Sequence, residues 1–202
     1  MIENAARDEN FVDLLISGDR QAFSDLIEQS SAKIYSLGLR MLGNEQDAED
    51  MLQETYLKAL KALPNFEKRS SINTWLFRIA ANEALMLLRK RKSGISTVDI
   101  DRGDEEEEAP FEFLDWCCLP EQELVSAETR SMLNKAADQL SPALRIVFQL
   151  RDVDGFSGQE TAEILGISED AVKTRLVRAR LKLREELSVY FRERMEGGAQ
   201  HA

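Results

Sequence analysis

Histidine and cysteine are nearly missing from these 202 residues: one histidine, His201, and two adjacent cysteines, Cys117 and Cys118. A lone imidazole after a glycine pair, one residue from the end, leaves no basis for a histidine-centred catalytic or metal site. Two neighbouring thiols cannot staple distant segments, so a reduced, cytoplasmic setting is expected. Without further cysteines or a nearby histidine they also fall far short of a four-ligand zinc site, and no metal or cofactor is expected. There is no glycine-rich phosphate loop of the kind nucleotide-hydrolysing enzymes use. No apolar run approaches the roughly 20 residues that cross a bilayer, and MIENAARDEN brings acids ahead of any hydrophobic stretch. Neither a membrane span nor a secretory signal is expected.

What is present is an ordinary globular apolar fraction, 43% hydrophobic, with a formal charge of −11. The charge is concentrated. Residues 99–123 carry 11 acids against one arginine, whereas residues 1–98 are nearly balanced and residues 124–202 are neutral. The run Asp104-Glu105-Glu106-Glu107-Glu108, with Pro110 and Pro120, should repel itself and stay extended. It reads as an acidic linker over residues 93–123 between two small helical domains, residues 10–92 and 124–190, with a tail at 191–202. The acidic total therefore does not count against nucleic-acid binding by either domain.

Helical spacing dominates the first domain and strand alternation is absent. After the candidate N-cap Asp19, Phe23, Leu26, Ile27, Ile34, Leu37 and Met41 share one face. Gly43-Asn44 ends that helix and caps the next, where Ala48, Met51, Leu52, Tyr56, Ala59 and Leu63 form a stripe before Pro64. A polar loop, Glu67 to Ser71, leads into a third helix with Ile72, Trp75, Leu76, Ile79 and Ala80 that ends in Arg89-Lys90-Arg91-Lys92. Three features exceed packing needs. Asp50, Gln53 and Glu54 share a helix face, although a solvated surface explains them on periodicity alone. Lys68 and Arg69 run into Ser70, Ser71, Asn73, Thr74 and Trp75, a mixture suited to a splayed nucleotide strand; an ordinary loop with a core tryptophan is the alternative. The basic cluster at 89–92, preceded by Arg78, fits phosphate contact as well as the favourable placement of cations at a helix C-terminus.

The second domain is more specific. Ser141-Pro142 is expected to open a helix carrying Leu144, Val147, Phe148 and Arg151, which Asp154-Gly155 breaks. Ser157-Gly158-Gln159-Glu160 fits a capping box, Thr161–Leu165 a short helix, and Gly166-Ile167-Ser168 a turn into a long helix from Glu169. Ala162, Gly166 and Val172 are spaced as a helix-turn-helix requires: a small residue, a turn glycine and a β-branched lock. Val172, Leu176, Ala179, Leu183 and Leu187 form the buried stripe of the long helix. From Lys173 to Arg184 it carries six cations and no acid. A solvated helix would intersperse glutamates, whereas an acid-free cationic second helix suits a major-groove reader. Lys173, Thr174 and Arg178 are placed to reach base edges; Arg175 and Arg180 suit phosphates or intramolecular pairs.

With these elements in order, the chain resembles the extracytoplasmic-function sigma factors, the two-domain initiation subunits of bacterial RNA polymerase. The resemblance rests on DAEDMLQETYLKALKALPNF (47–66), INTWLFRIAANEALMLLRKRK (72–92) and GFSGQETAEILGISEDAVKTRLVRARLKLREEL (155–187). It implies an all-α fold, no enzymatic activity, and a role in promoter-specific initiation. Core RNA polymerase and promoter DNA are the implied partners, and an anti-sigma protein is one that family members often have. Asp50, Gln53 and Glu54 become a polymerase-binding face rather than solvated charges. Lys68, Arg69, Ser70, Ser71, Trp75, Arg78 and Asn82 fall where the family opens the −10 element and holds an unpaired base. Lys173, Thr174, Arg175, Val177 and Arg178 fall on the helix that reads the −35 element. Leu85, Met86 and Leu87 depart from the polar or basic residues common in relatives, so duplex contacts from that turn are not expected. The acidic linker imitates nucleic acid near the RNA exit path or is a soluble spacer, and both readings stay open.

Two other functions compete with this one. A stand-alone regulator would bind duplex promoter without polymerase. A nucleic-acid enzyme would need a metal cluster, for which Asp47, Glu49, Asp50 and Glu54 are the acidic candidates. Thiol sensing at Cys117-Cys118 competes with simple hydrophobic contact there.

Overall fold

The computed structural model describes residues 10–93 and 135–198, and among these every regular element is helical. The acidic segment 99–123 and Cys117-Cys118 lie outside the described residues. In chain order the elements are α1 (10–16), α2 (Arg20–Leu42), α3 (Glu45–Ala62) with a 3-10 turn Leu63–Asn65, and α4 (Ile72–Ser93). A helical turn over 135–138 (α5) follows, then α6 (Pro142–Phe148), α7 (Gly158–Leu165) and α8 (Glu169–Gly198).

Local chemistry starts and stops these helices largely as expected. Asp19 accepts from the Ala22 amide at the N-terminus of α2, and Asn44 accepts from the Asp47 amide at that of α3. Each satisfies one of the amides that a helix start leaves unpaired. Ser141 differs. It occupies the N-cap position of α6, but its side chain makes no cap bond and its hydroxyl is buried without a partner. Its carbonyl instead accepts from the Leu144 and Arg145 amides at 3.0 and 2.9 Å, and Pro142, with no amide hydrogen, removes another donor. The helix then widens into one π turn, Gln149–Val153, before Asp154 and Gly155 break it. The long helix α8 continues beyond residue 190 to Gly198.

Helices α2, α3 and α4 pack around Leu26, Ile34, Leu37, Met51, Leu76 and Ala80, all almost fully buried. The approach of α2 to α3 depends on Gly38: a Cβ there would lie 2.9 Å from Met51 Cε and 3.2 Å from the Ala48 backbone. Two buried polar links brace this unit. Tyr56 and Ser30 share a hydrogen bond of 2.7 Å, and burial pushes the Tyr56 phenol above its ordinary pKa. Glu83, 5% exposed, is paired with Lys58, whose pKa that partner raises. A buried carboxylate without a partner would be costly, so α3 and α4 are tied by charge as well as by apolar contact.

The second unit wraps Leu144, Val147, Ile164, Val172, Ala179 and Leu183 around the helix-turn-helix. Its buried residues are continuous with those of the first. Phe77 of α4 meets Phe156 edge-on with ring centroids 4.7 Å apart, and Arg145 Nη1 donates to the Met41 carbonyl at 3.4 Å. The two helical units are therefore packed on each other along a seam.

Candidate nucleic-acid interface

The α7–α8 turn is built by its local sequence. Ser157 accepts from the Glu160 amide at 3.1 Å, while the Ser157 amide donates to Glu160 Oε2 at 2.8 Å; together they close the capping box. Those bonds hold the Glu160 carboxyl below the usual carboxylate range. Gly166 takes φ +66°, where a side chain would be strained, and its amide donates to the Ala162 carbonyl. Ser168 Oγ then accepts from the Ala171 amide at 3.1 Å as α8 begins. Val172, Leu176, Ala179 and Leu183 are buried, so the opposite face of α8 turns outward.

On that outer face Lys173 and Thr174 are exposed, Val177 is exposed, and Arg175 and Arg178 are half-buried. Two of the α8 cations are held by acids from outside the acid-free stretch. Lys173 pairs with Asp170 at 3.1 Å, and Arg180 binds Asp152 through two hydrogen bonds of 2.9 and 2.7 Å. Of the two roles open to Arg180, phosphate contact or intramolecular pairing, this structure shows the pair.

The loop before α4 gathers the second group. Lys68 adopts φ +57°, an uncommon backbone for a residue with a Cβ, and its ammonium pairs with Asp13. Arg69 pairs with Glu67 at 2.6 Å, and Ser70 lies between it and the helix start. Ser71 acts as a cap, accepting from the Thr74 amide at 3.0 Å and bonding the Thr74 hydroxyl at 2.8 Å. Trp75 is half-buried and tilted against Phe66, centroids 5.1 Å apart, so part of its ring serves the core. Ser71, Trp75, Arg78 and Asn82 recur at helical spacing along α4. Arg78 and Asn82 are exposed and line a cleft of about 500 Å³ whose other wall is α7 and the start of α8. Leu85, Met86 and Leu87 are half-buried. Arg91 in the basic cluster is committed elsewhere, donating to the Leu42 carbonyl at 2.7 Å and pairing with Asp47.

Asp50, Gln53 and Glu54 stand exposed on α3. Beside them Leu57 and Leu60 are each 52% exposed, an apolar extension the sequence reading did not single out. Their position off the buried Ala48–Met51–Tyr56–Ala59 stripe was the available signal. Among the described residues no three His, Cys, Asp or Glu side chains converge on a metal position, and no helix is long and apolar enough to cross a membrane.

The family models for sigma-70 region 2 and sigma-70 region 4 match residues 26–94 and 130–183. The chain is similar to the ECF RNA polymerase sigma factor SigW of Bacillus subtilis, 35% identical over 170 residues, 84% of this chain and 91% of that protein. Among solved structures it is similar to CnrH in complex with the cytosolic domain of CnrY, with TM-score 0.64, 27% identity, and coverage of 90% and 97%. It is also similar to the sigma factor RpoE in complex with the anti-sigma factor NepR from Bartonella quintana, with TM-score 0.60, 26% identity, and coverage of 83% and 97%.

Proposed function

The chain belongs to the extracytoplasmic-function RNA polymerase sigma factors and directs promoter-specific transcription initiation, and from that premise we propose how its surfaces divide the work. The exposed α3 face, Asp50, Gln53 and Glu54 with Leu57 and Leu60 beside them, docks on core polymerase. Lys68, Arg69, Ser70, Ser71, Trp75, Arg78 and Asn82 receive the opened −10 strand. Lys173, Thr174, Arg175, Val177 and Arg178 read the −35 duplex. The chain supplies recognition rather than catalysis, needs no cofactor, and works in the cytoplasm. An anti-sigma protein is a fitting further partner, since the similar sigma factor RpoE was solved with one.

Helix α8 carries this reading: six cations and no acid from Lys173 to Arg184, of which Arg180 is held by Asp152, on the second helix of a capped helix-turn-helix. Phosphate neutralisation gives such a helix affinity, and each good base-edge pair adds about 1–3 kcal/mol of discrimination. At the other site, unstacking costs a few kcal/mol and pocket contacts return about 1–3 kcal/mol per base, so opening is close to balanced and trapping the displaced base tips it.

Run-off transcription with purified core polymerase on a promoter library tests the whole reading. The wild-type chain should start specific transcripts, and Arg178→Ala should weaken those that depend on the −35 sequence. No specific transcripts, or tight promoter binding without polymerase, would overturn the sigma-factor reading. Unchanged output across −35 variants would remove Arg178 from base readout.

A further inference from the structure

We propose that Asp13, on α1, is a positioning residue for the loop that receives the opened strand: its pair with Lys68 holds that loop in a left-handed turn ready for an unpaired base. The proposal rests on the assignment of Lys68, Arg69, Ser70, Ser71 and Trp75 to that strand. Lys68 has φ +57°, and among the described residues it alone, glycines aside, takes a positive φ. A Cβ makes this conformation unfavourable, so contacts from outside the residue have to hold it, and such outliers gather where a protein pre-shapes a ligand site. The Lys68 ammonium pairs with Asp13, 55 residues away in the chain.

Both ends of the loop are fixed by their own contacts. Phe66 is buried against Trp75 at one end, and Ser71 caps α4 at the other, accepting from the Thr74 amide at 3.0 Å. Between them Arg69 pairs with its near neighbour Glu67, which ties the loop only to itself. The Lys68–Asp13 pair reaches another element, and that element is anchored. Leu15 of α1 is buried, and the Asp19 amide donates to the Leu14 carbonyl at 3.0 Å where α1 gives way to α2. The pair also leaves room for the strand. The Lys68 side chain is 43% exposed and an ammonium has three donors, so a phosphate can approach from solvent while Asp13 keeps its bond. An acid that merely opposed the strand would give no reason for the φ of Lys68; a brace does. A loop already in its bound shape loses less freedom when the base arrives, which strengthens capture without a new contact to the base.

Base capture in the assembled holoenzyme provides the test. The full chain and core polymerase are mixed with a promoter from the run-off library that carries 2-aminopurine at successive positions of its −10 element, where fluorescence rises as a base unstacks. Exposed ion pairs are individually weak, so Asp13→Ala should lower base capture about two- to fivefold rather than abolish it. Its urea midpoint and its affinity for core polymerase should match wild type, and Asp13→Glu should recover most of the capture. Lys68→Gly makes the sharper comparison. Glycine takes the same φ without cost although the cation is lost, so adding Asp13→Ala to Lys68→Gly should change nothing further. Unchanged capture in Asp13→Ala would overturn the proposal, and so would tighter capture, which would make Asp13 an acid opposing the strand. An equal loss on adding Asp13→Ala to Lys68→Gly would overturn it too, because Asp13 would then act without Lys68. Run-off transcription by the wild-type samples separates the failures: transcripts together with any of those three results sink the role of Asp13 alone, whereas neither base capture nor transcripts sinks the sigma-factor reading beneath it.

Discussion

Glu160 shows how a single side chain can carry both a fold signal and a pH dependence. Its carboxylate accepts from the Ser157 amide, which lowers its folded-state pKa below the unfolded value. A group depressed in this way stabilises the fold above its unfolded pKa and loses that contribution as pH falls through the folded value. Glu160→Ala should therefore cost about 0.3–1 kcal/mol at neutral pH, the size of a charge at a helix N-terminus. Urea denaturation should show that difference shrinking as pH falls below the ordinary glutamate range; a gap that persists undiminished would rule out the charged cap. This residue was readable from sequence because both partners lie three positions apart. Lys68 was not. Its unusual backbone angle and its pairing with Asp13 join residues 55 apart in the chain, and only the folded unit brings them together. Ser71 was legible as a polar residue of the loop before α4, and its hydroxyl serves the helix start.

Helices as wholes followed the periodic pattern, because an apolar stripe at spacing three and four has one good burial. Stripe residues Leu26, Ile34, Leu37, Met41, Ala48, Met51, Ala59, Val172, Ala179 and Leu183 all turn inward. What the pattern could not supply was the distance between helices. Gly38 lies on the inner face of α2, and its reason emerges only when α3 is set against it. In Gly38→Ala the helix gains about 1 kcal/mol of propensity, while the added Cβ presses on Met51, whose terminal methyl can move, and on the Ala48 backbone, which cannot move readily. Those effects oppose each other. Gly38→Val adds two more carbons at the crossing and should cost about 1–3 kcal/mol, seen as a lower urea midpoint with an unchanged slope. A midpoint equal to wild type would mean the helices can separate without loss. The π turn at Gln149–Val153 was also beyond reach of the pattern. Its apolar residues fit an ordinary helix, and the extra residue per turn shows only in the hydrogen bonds, such as the Asp154 amide to the Gln149 carbonyl at 2.9 Å.

At the scale of the molecule, the pairing of two helical units was visible in the sequence, as was the helix-turn-helix in the second. Their mutual packing was not: Phe77 and Phe156 lie in different units, no periodicity links them, and only the folded chain brings the two rings together. Such a seam is modest in strength. An aromatic pair contributes about 0.5–1.5 kcal/mol beyond its buried area, and contacts between domains of one chain resemble transient interfaces. While the seam is shut, Asp50, Gln53 and Glu54 remain on the outside of α3. A partner can therefore reach that face without disturbing Phe77 or Phe156. If it is the proposed docking face, Asp50→Lys should weaken binding to core polymerase and leave the urea midpoint of the free chain where it was; equal affinity would remove this face from docking.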